Sequence, residues 1–136
     1  VINADSATFV IIERDADYGK DKNHVYYAGK EIKGADPRYF DYISYGTTES
    51  LYFKDKKKIY FSGKEIKDAD FKSFRILGSN YSKDKNNIYY EGEKLSGADV
   101  KTFRRSNCND GDEHGECSLA EDKDNYYEYG KVTRKK

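Results

Sequence analysis

The chain has 136 residues, a length that suits one domain and is short for two independent cores. Charged residues make up 37% of it, and 25 Lys and Arg balance 25 Asp and Glu. Proteins that bind nucleic acid usually carry an excess of positive charge, so a nucleic-acid partner is not expected. Ile, Leu and Val number 18 against 21 Phe and Tyr, and so high an aromatic content argues against disorder. No apolar run is longer than the four residues at 9–12, which is far too short for a membrane span.

The sequence is a tandem repeat. Residues 18–36 recur at 52–70 and, with more substitutions, at 81–99 and 122–131. In every copy an aspartate precedes a glycine by eight residues, while the copies themselves are spaced by 34, 29 and 38 residues. Length therefore varies only in the connecting loops. The recurring turn residues are Asp21 and Gly29, Asp55 and Gly63, Asp84 and Gly92, and Asp122 and Gly130.

In the first copy, a short strand from Tyr18 is expected to end at Asp21. The carboxylate of Asp21 can accept backbone N–H groups and so favours a turn at that point. The sequence leaves open whether this turn contains two or three residues, and therefore which face of the strand carries Tyr18.

The residues after this turn predict a β-hairpin. Residues 25–27 and 30–32 form its strands, and Gly29 supplies the positive φ that a two-residue type I′ turn needs at its second position. In that register Tyr27 faces Lys30 across the hairpin.

A second recurring segment, which we call the closing block, follows the hairpin of each copy and stands at the boundary between successive units. Asp36 followed by Pro37 resembles a helix N-cap with proline at the first helical position. Only three residues remain before Phe40, so a single helical turn is expected. The closing blocks are residues 35–40, 69–74 and 98–103, and the same pattern stands at 4–9.

These elements predict an all-β fold, built as a tandem repeat of short hairpins with one helical turn per unit. A single domain over residues 1–136 is expected, in which neighbouring units share one aromatic core. A propeller-like ring and an open β-solenoid-like stack both suit the pattern. The chain begins with a closing block and ends after a hairpin, so its two ends can complete one unit together. This slightly favours the ring, because closure would hide both sheet edges. The units lie near residues 4–34, 35–68, 69–97 and 98–131.

Pairs of aromatic residues follow each Asp turn. Because aliphatic residues are few, the core must be built largely from rings. The second ring of each pair is assigned to the core: Tyr27, Phe61 and Tyr90. The first ring points to the opposite face, so one of the two sets is expected to be partly exposed.

A loop insertion at residues 107–117 separates the last two copies. Cys108 and Cys117 bracket it and are predicted to form a disulfide, which would stabilise the fold by roughly 2–3 kcal/mol on the chain-entropy model. A metal site with His114 is the alternative, but a fourth ligand is missing at any usual zinc spacing. A disulfide persists in an oxidising compartment, so the protein is expected in the periplasm or at the cell surface.

The same loop is strongly acidic. Its order of oxygen ligands does not match a calcium-binding EF-hand loop. A loop closed at its base is preorganised for binding, which makes it a candidate recognition site for a basic partner protein. The candidate partner-binding residues are Asp110, Asp112, Glu113 and Glu116.

No catalytic set can be assembled from the sequence. His24 lies at a turn and His114 in the acidic loop, where both are expected to be solvated. Neither a phosphate-binding glycine loop nor a Gly-x-Ser-x-Gly nucleophile elbow is present. The chain is therefore not expected to be an enzyme or to bind a metal or cofactor.

Two stretches of the repeat carry a family resemblance. Residues 20–27 read Lys-Asp-Lys-Asn-His-Val-Tyr-Tyr and residues 83–90 read Lys-Asp-Lys-Asn-Asn-Ile-Tyr-Tyr, and both resemble the signature of the bacterial DKNYY family. The resemblance extends from residue 4 to residue 131. It implies an exported or envelope protein, and it supplies no catalytic residues.

The leading functional hypothesis is a non-enzymatic protein-binding module of the bacterial envelope, for example an immunity protein that neutralises a toxin or enzyme. The first alternative is a glycan- or peptidoglycan-binding module that uses exposed tyrosines. The second is a structural repeat of a larger surface protein. Fold alone does not decide between them.

Overall fold

The computed structural model describes residues 3–13, 17–45, 48–106 and 119–136. These residues form sixteen β-strands and contain no helix. The strands of the first repeat are β1 (Val10–Glu13), β2 (Tyr18–Lys20), β3 (Val25–Tyr27) and β4 (Lys30–Glu31), and those of the second are β5 (Asp41–Tyr45), β6 (Thr48–Lys54), β7 (Ile59–Phe61) and β8 (Lys64–Glu65). The third contains β9 (Arg75–Gly78), β10 (Tyr81–Lys83), β11 (Ile88–Tyr90) and β12 (Glu93–Lys94), and the fourth β13 (Arg104–Arg105), β14 (Leu119–Glu121), β15 (Asn125–Glu128) and β16 (Lys131–Lys135).

Each repeat folds into its own four-stranded antiparallel sheet. In every sheet the spatial order of the strands follows the chain, from β1 to β4, β5 to β8, β9 to β12 and β13 to β16. All strand pairs are therefore formed between neighbours in sequence, as expected for hairpins with short turns. The predicted all-β tandem repeat is confirmed.

The hairpin turns have the predicted geometry. Ala28 and Gly29 both have positive φ, 49° and 82°, as a type I′ turn requires. Tyr27 pairs with Lys30 across it. The other three hairpins use Ser62 and Gly63, Glu91 and Gly92, and Tyr129 and Gly130 in the same conformation.

The turn at the first aspartate has two residues at its tip. The N–H of Asp21 donates to the carbonyl of His24 over 3.0 Å, which leaves residues 22–23 between them. Tyr18 is consequently paired with Tyr27, and this settles the position that the sequence left open.

The closing blocks form single hydrogen-bonded turns. Phe74 N–H donates to the carbonyl of Asp70 over 3.0 Å, and Phe103 N–H to that of Asp99 over 2.9 Å. No helix is assigned to these segments in the described residues, because a strand begins directly after each turn and leaves no room for helix propagation.

The chain divides into two compact halves, Val1–Lys67 and Asp68–Lys136. Each half contains two repeats and has its own buried cluster. In each, one face of the first sheet packs against the second sheet, with a closing-block phenylalanine between them. The clusters are Tyr18, Val25, Phe40, Phe53 and Tyr60 in the N-terminal half, and Tyr81, Ile88, Phe103, Ala120 and Tyr127 in the C-terminal half. A single domain over all 136 residues stays a prediction.

Candidate functional site

The aspartate of every repeat is a buried hydrogen-bond acceptor. Asp84 is 2% exposed, and one of its carboxylate oxygens accepts the N–H groups of Asn86 and Asn87, both at 2.8 Å. The other oxygen accepts the hydroxyl of Tyr89 at 2.7 Å and the N–H of Asp70, in the closing block, at 2.8 Å. We call this set an Asp–Tyr node.

The node recurs in all four repeats with nearly the same distances. Asp21 accepts from the Tyr26 hydroxyl at 2.9 Å and the Asp5 N–H at 2.8 Å. In the second and fourth repeats, Asp55 is bound by Tyr60 and by the N–H of Asp36, and Asp122 by Tyr127 and by the N–H of Asp99. Each node thus ties a turn, a strand and a closing block together.

The nodes shift the pKa of both partners. Burial by itself would raise the pKa of Asp84, but the hydrogen bonds from Asp70, Tyr89 and the turn outweigh it and the pKa is lowered. Burial, and then the hydrogen bond to Asp122, raises the pKa of Tyr127 to about 12. The carboxylates are therefore held ionised and the phenols neutral, which suits acceptors and donors in a scaffold.

A hydroxyl group joins three of the closing blocks to the same turns. Ser73 donates its hydroxyl hydrogen bond to the Asp70 carboxylate, and its oxygen accepts the Lys85 N–H at 2.9 Å. Thr8 and Thr102 make the same two contacts in the first and fourth repeats. The sequence signal was a Ser or Thr three residues after the closing-block Asp, which the sequence reasoning missed.

The two rings of each aromatic pair differ in burial. The first rings, Tyr26, Tyr60 and Tyr89, are almost fully buried, because their hydroxyls must reach the node. The rings assigned to the core by sequence, Tyr27, Phe61 and Tyr90, are half-buried. Tyr27 and Tyr90 pack against the buried clusters of their halves.

The half-buried tyrosines contact the turn glycine of the next repeat within each half. A Cβ atom on Gly63 would lie 2.5 Å from the Tyr27 ring, and the Gly63 N–H donates to the Tyr18 hydroxyl at 2.6 Å. Gly130 has the same relation to Tyr90 and Tyr81. A Cβ atom on Gly29 would meet nothing within 4 Å, so Gly29 serves its own turn alone.

The fourth repeat departs from this pattern on one face of its sheet. Leu119, Tyr126 and Glu128 occupy the positions that Tyr81, Ile88 and Tyr90 occupy in the third repeat. Leu119 is 43% exposed. This face is largely apolar in the third repeat and is mixed, with a charged residue, in the fourth. A more polar outer face is typical of a capping repeat.

Charged side chains cover the tyrosine on this face. The Arg134 guanidinium lies 4.4 Å from the centre of the Tyr126 ring and the Lys136 ammonium 4.8 Å. Glu121 accepts hydrogen bonds from Lys136 at 2.7 Å and Arg104 at 2.8 Å, and these hold its pKa below the usual range. The ring face is therefore occupied by cations.

A shallow pocket of about 370 Å³ opens beside this ring. Ser106 and Leu119 line it, and the Ser106 N–H donates to the Leu119 carbonyl over 3.0 Å. This bond closes the base of the first hairpin of the repeat, where the insertion begins. In the third repeat the same hairpin has only a two-residue turn, Ser79 and Asn80.

The acidic insertion lies outside the described residues. The predicted disulfide and partner-binding site both fall there, so each stays a prediction. The residues concerned are Cys108, Cys117, Asp110, Asp112, Glu113 and Glu116.

The remaining titratable groups of the described residues do not lie together in one site. His24 is half-exposed, with Nε2 3.7 Å from Glu31 and Nδ1 3.9 Å from Asp21. Within the described ranges, no group of three His, Cys, Asp or Glu side chains is placed to hold a metal ion. The same ranges hold no helix with the length and hydropathy of a membrane crossing.

Taken together, these features define an all-β tandem-repeat protein whose recurring motif is used to build its scaffold. The chain belongs to the DKNYY family, whose model matches residues 1–131. No curated protein and no solved structure matches it. In this chain the Asp of the motif is the node acceptor, and the Tyr five residues after it is the buried donor.

Proposed function

We propose that this chain is a non-enzymatic protein-binding module of the bacterial envelope, for example one that neutralises a toxin or enzyme. Its fourth repeat, with the insertion, carries the partner surface. The nodes of the other repeats serve the fold, since their polar groups are buried and fully engaged with one another.

One observation supports this assignment above the others. The four nodes are nearly identical, whereas the fourth repeat differs from the others in its five-residue edge strand β16 and in the 13-residue connection between β13 and β14. Repeat proteins commonly bind through surfaces that vary on a constant scaffold.

The test is quantitative capture from bacterial envelope extract with immobilised protein. We expect one captured protein that forms an equimolar complex on size-exclusion chromatography with light scattering. A loop variant with Asp110→Asn, Asp112→Asn, Glu113→Gln and Glu116→Gln should lose it.

The matched control removes the same charge elsewhere. It carries glutamine at four exposed glutamates in the other hairpins, Glu31, Glu65, Glu91 and Glu93, and should retain the partner. Equal retention by both variants would remove the insertion from the binding site. Absence of any equimolar complex would contradict the proposed function.

A glycan-binding role is the second candidate, and the exposure of Tyr129 supports it. Its side chain is 60% exposed at the tip of the last hairpin, whereas Arg38 and Lys56 lie over the Tyr39 ring. On this hypothesis, Tyr129→Ala reduces co-sedimentation with peptidoglycan while Tyr39→Ala does not. The first repeat has Ala28 at the equivalent turn position, so the fold tolerates the change.

For the architecture, we further propose that the repeats stack in a solenoid-like or propeller-like manner with one helical turn in each closing block. The i to i+4 hydrogen bonds at Phe74 and Phe103 support the helical turn. An experimental structure of the whole chain tests both statements.

A further inference from the structure

The last strand differs from its counterparts in the other repeats. β16 has five residues, and β4, β8 and β12 have two each. It lies at the edge of its sheet, paired with β15 on one side only. All five of its residues are exposed. Exposed edges of this length are sites at which another strand can add.

The charges on this edge are positive and largely without an ion-pair partner in the part of the chain that the structure describes. Lys131, Arg134 and Lys135 form no ion pair with any described residue, whereas neighbouring Lys136 is bound to Glu121. Val132, which is 51% exposed, lies between them. The edge therefore combines unpaired backbone groups, an apolar side chain and three cations without ion pairs among the described residues, of which Arg134 lies over the Tyr126 ring.

A bulge brings two of these cations to one face. Lys131 pairs with Glu128 and Arg134 with Tyr126, and the register shifts between Tyr126 and Tyr127. Without the shift, residues three apart would point to opposite faces. An added strand with acidic residues at alternate positions would match this spacing.

We propose that β16 accepts an extended acidic segment of a partner protein as a fifth strand of its sheet. This inference rests on the proposed protein-binding function and names the chemistry of the partner. A second copy of the chain is disfavoured, because antiparallel pairing of β16 with itself would set its cations against each other.

The probe is a capped nine-residue peptide in which glutamate alternates with threonine, added to the full chain labelled with nitrogen-15. We expect the peptide to change NMR chemical shifts and to slow amide hydrogen exchange only at residues 129–136. A version of the peptide with N-methyl groups on alternate residues cannot donate along one edge, and we expect it to bind about tenfold more weakly or worse.

A pair of matched variants distinguishes the loss of the β16 site from a general effect of lower net charge. Lys131→Gln, Arg134→Gln and Lys135→Gln together should weaken peptide binding by about tenfold. The control changes Lys30, Lys33 and Lys64, which are exposed and without ion pairs among the described residues, to glutamine and should stay within about twofold of the unmodified chain.

Three results would overturn the inference. The first is that the peptide changes chemical shifts at residues outside β16, and the second is that the N-methylated peptide binds equally well. The third is equal binding of an oligothymidylate of the same charge, which would indicate a general polyanion surface. An envelope partner retained by the β16 variant would refute the edge site and leave the proposed function standing. If the peptide binds β16 but no envelope partner is captured, the edge site stands and the proposed function is refuted.

Discussion

The Asp–Tyr node of the third repeat offers the sharpest test of how this fold is held together. Asp84→Asn keeps one oxygen, which can still accept the two turn N–H groups. The amide nitrogen replaces the oxygen that accepts from Tyr89 and Asp70. The Tyr89 hydroxyl can rotate and accept, but the Asp70 N–H then faces another donor.

The magnitude follows from these contacts. A buried N–H left unpaired costs about 1–3 kcal/mol, and loss of the charge weakens the remaining hydrogen bonds by roughly half. Because the pKa of Asp84 is lowered despite its burial, the surroundings favour the charged form, and neutralisation must destabilise. We expect Asp84→Asn to lower the free energy of unfolding by about 3 kcal/mol. Tyr89→Phe should lower it by about 1 kcal/mol, since the carboxylate keeps three donors.

The assay is urea unfolding at pH 7, followed by circular dichroism and tyrosine fluorescence, since the chain has 14 Tyr and no Trp. The double variant should show a coupling energy of about 1 kcal/mol between the two sites. Asp68→Asn is the control: its side chain is 70% exposed, and we expect a change below about 0.5 kcal/mol. A cost of Asp84→Asn below about 1 kcal/mol, or an equal cost of Tyr89→Phe in both backgrounds, would contradict this role of the node.

The remaining predictions concern the glycines, pH and one buried hydroxyl. Gly63→Ala should destabilise by about 2 kcal/mol more than Gly29→Ala in urea unfolding, because both have positive φ but only the first would clash with Tyr27; equal costs would contradict the contact. The free energy of unfolding should be constant between about pH 5 and 9. Below about pH 5 it should fall, because the folded pKa of the node carboxylates lies below the ordinary 3.8 and their protonation removes stability. Above pH 10 stability should fall as the phenols ionise, and Tyr127→Phe, which removes a group of pKa about 12, should make that fall shallower. Ser82→Ala should raise the free energy of unfolding by about 1 kcal/mol, because the Ser82 hydroxyl is buried without a hydrogen-bond partner among the described residues; a loss of stability would show that the hydroxyl is satisfied.

Several local features could be read from the sequence because their causes are local. The type I′ hairpins follow from a glycine at a fixed place between two short strands. The role of Asp21 as a turn residue follows from a short carboxylate followed by two available N–H groups. The Tyr27–Lys30 register then follows from the length of the turn.

Other features had no local signal that singled them out. The fourth bond to Asp21 comes from the N–H of Asp5, sixteen residues away, and every residue but proline has such a group. The tyrosine five residues after each node aspartate is buried because its hydroxyl reaches the node, whereas hydrophobicity alone does not separate it from the neighbouring ring. The departure of the fourth repeat was visible as the substitution of Tyr126 for a branched residue, but its charged face required Arg134 and Lys136 to be placed over the ring.

The sequence by itself therefore determined the repeat, the strands and their turns, since these depend on backbone preferences over a few residues. The tertiary structure decided which donors complete each buried carboxylate, which ring enters the core, and how two repeats pair around one phenylalanine in each half. Those choices depend on distances between residues far apart in the chain, and such distances are fixed only when the sheets pack.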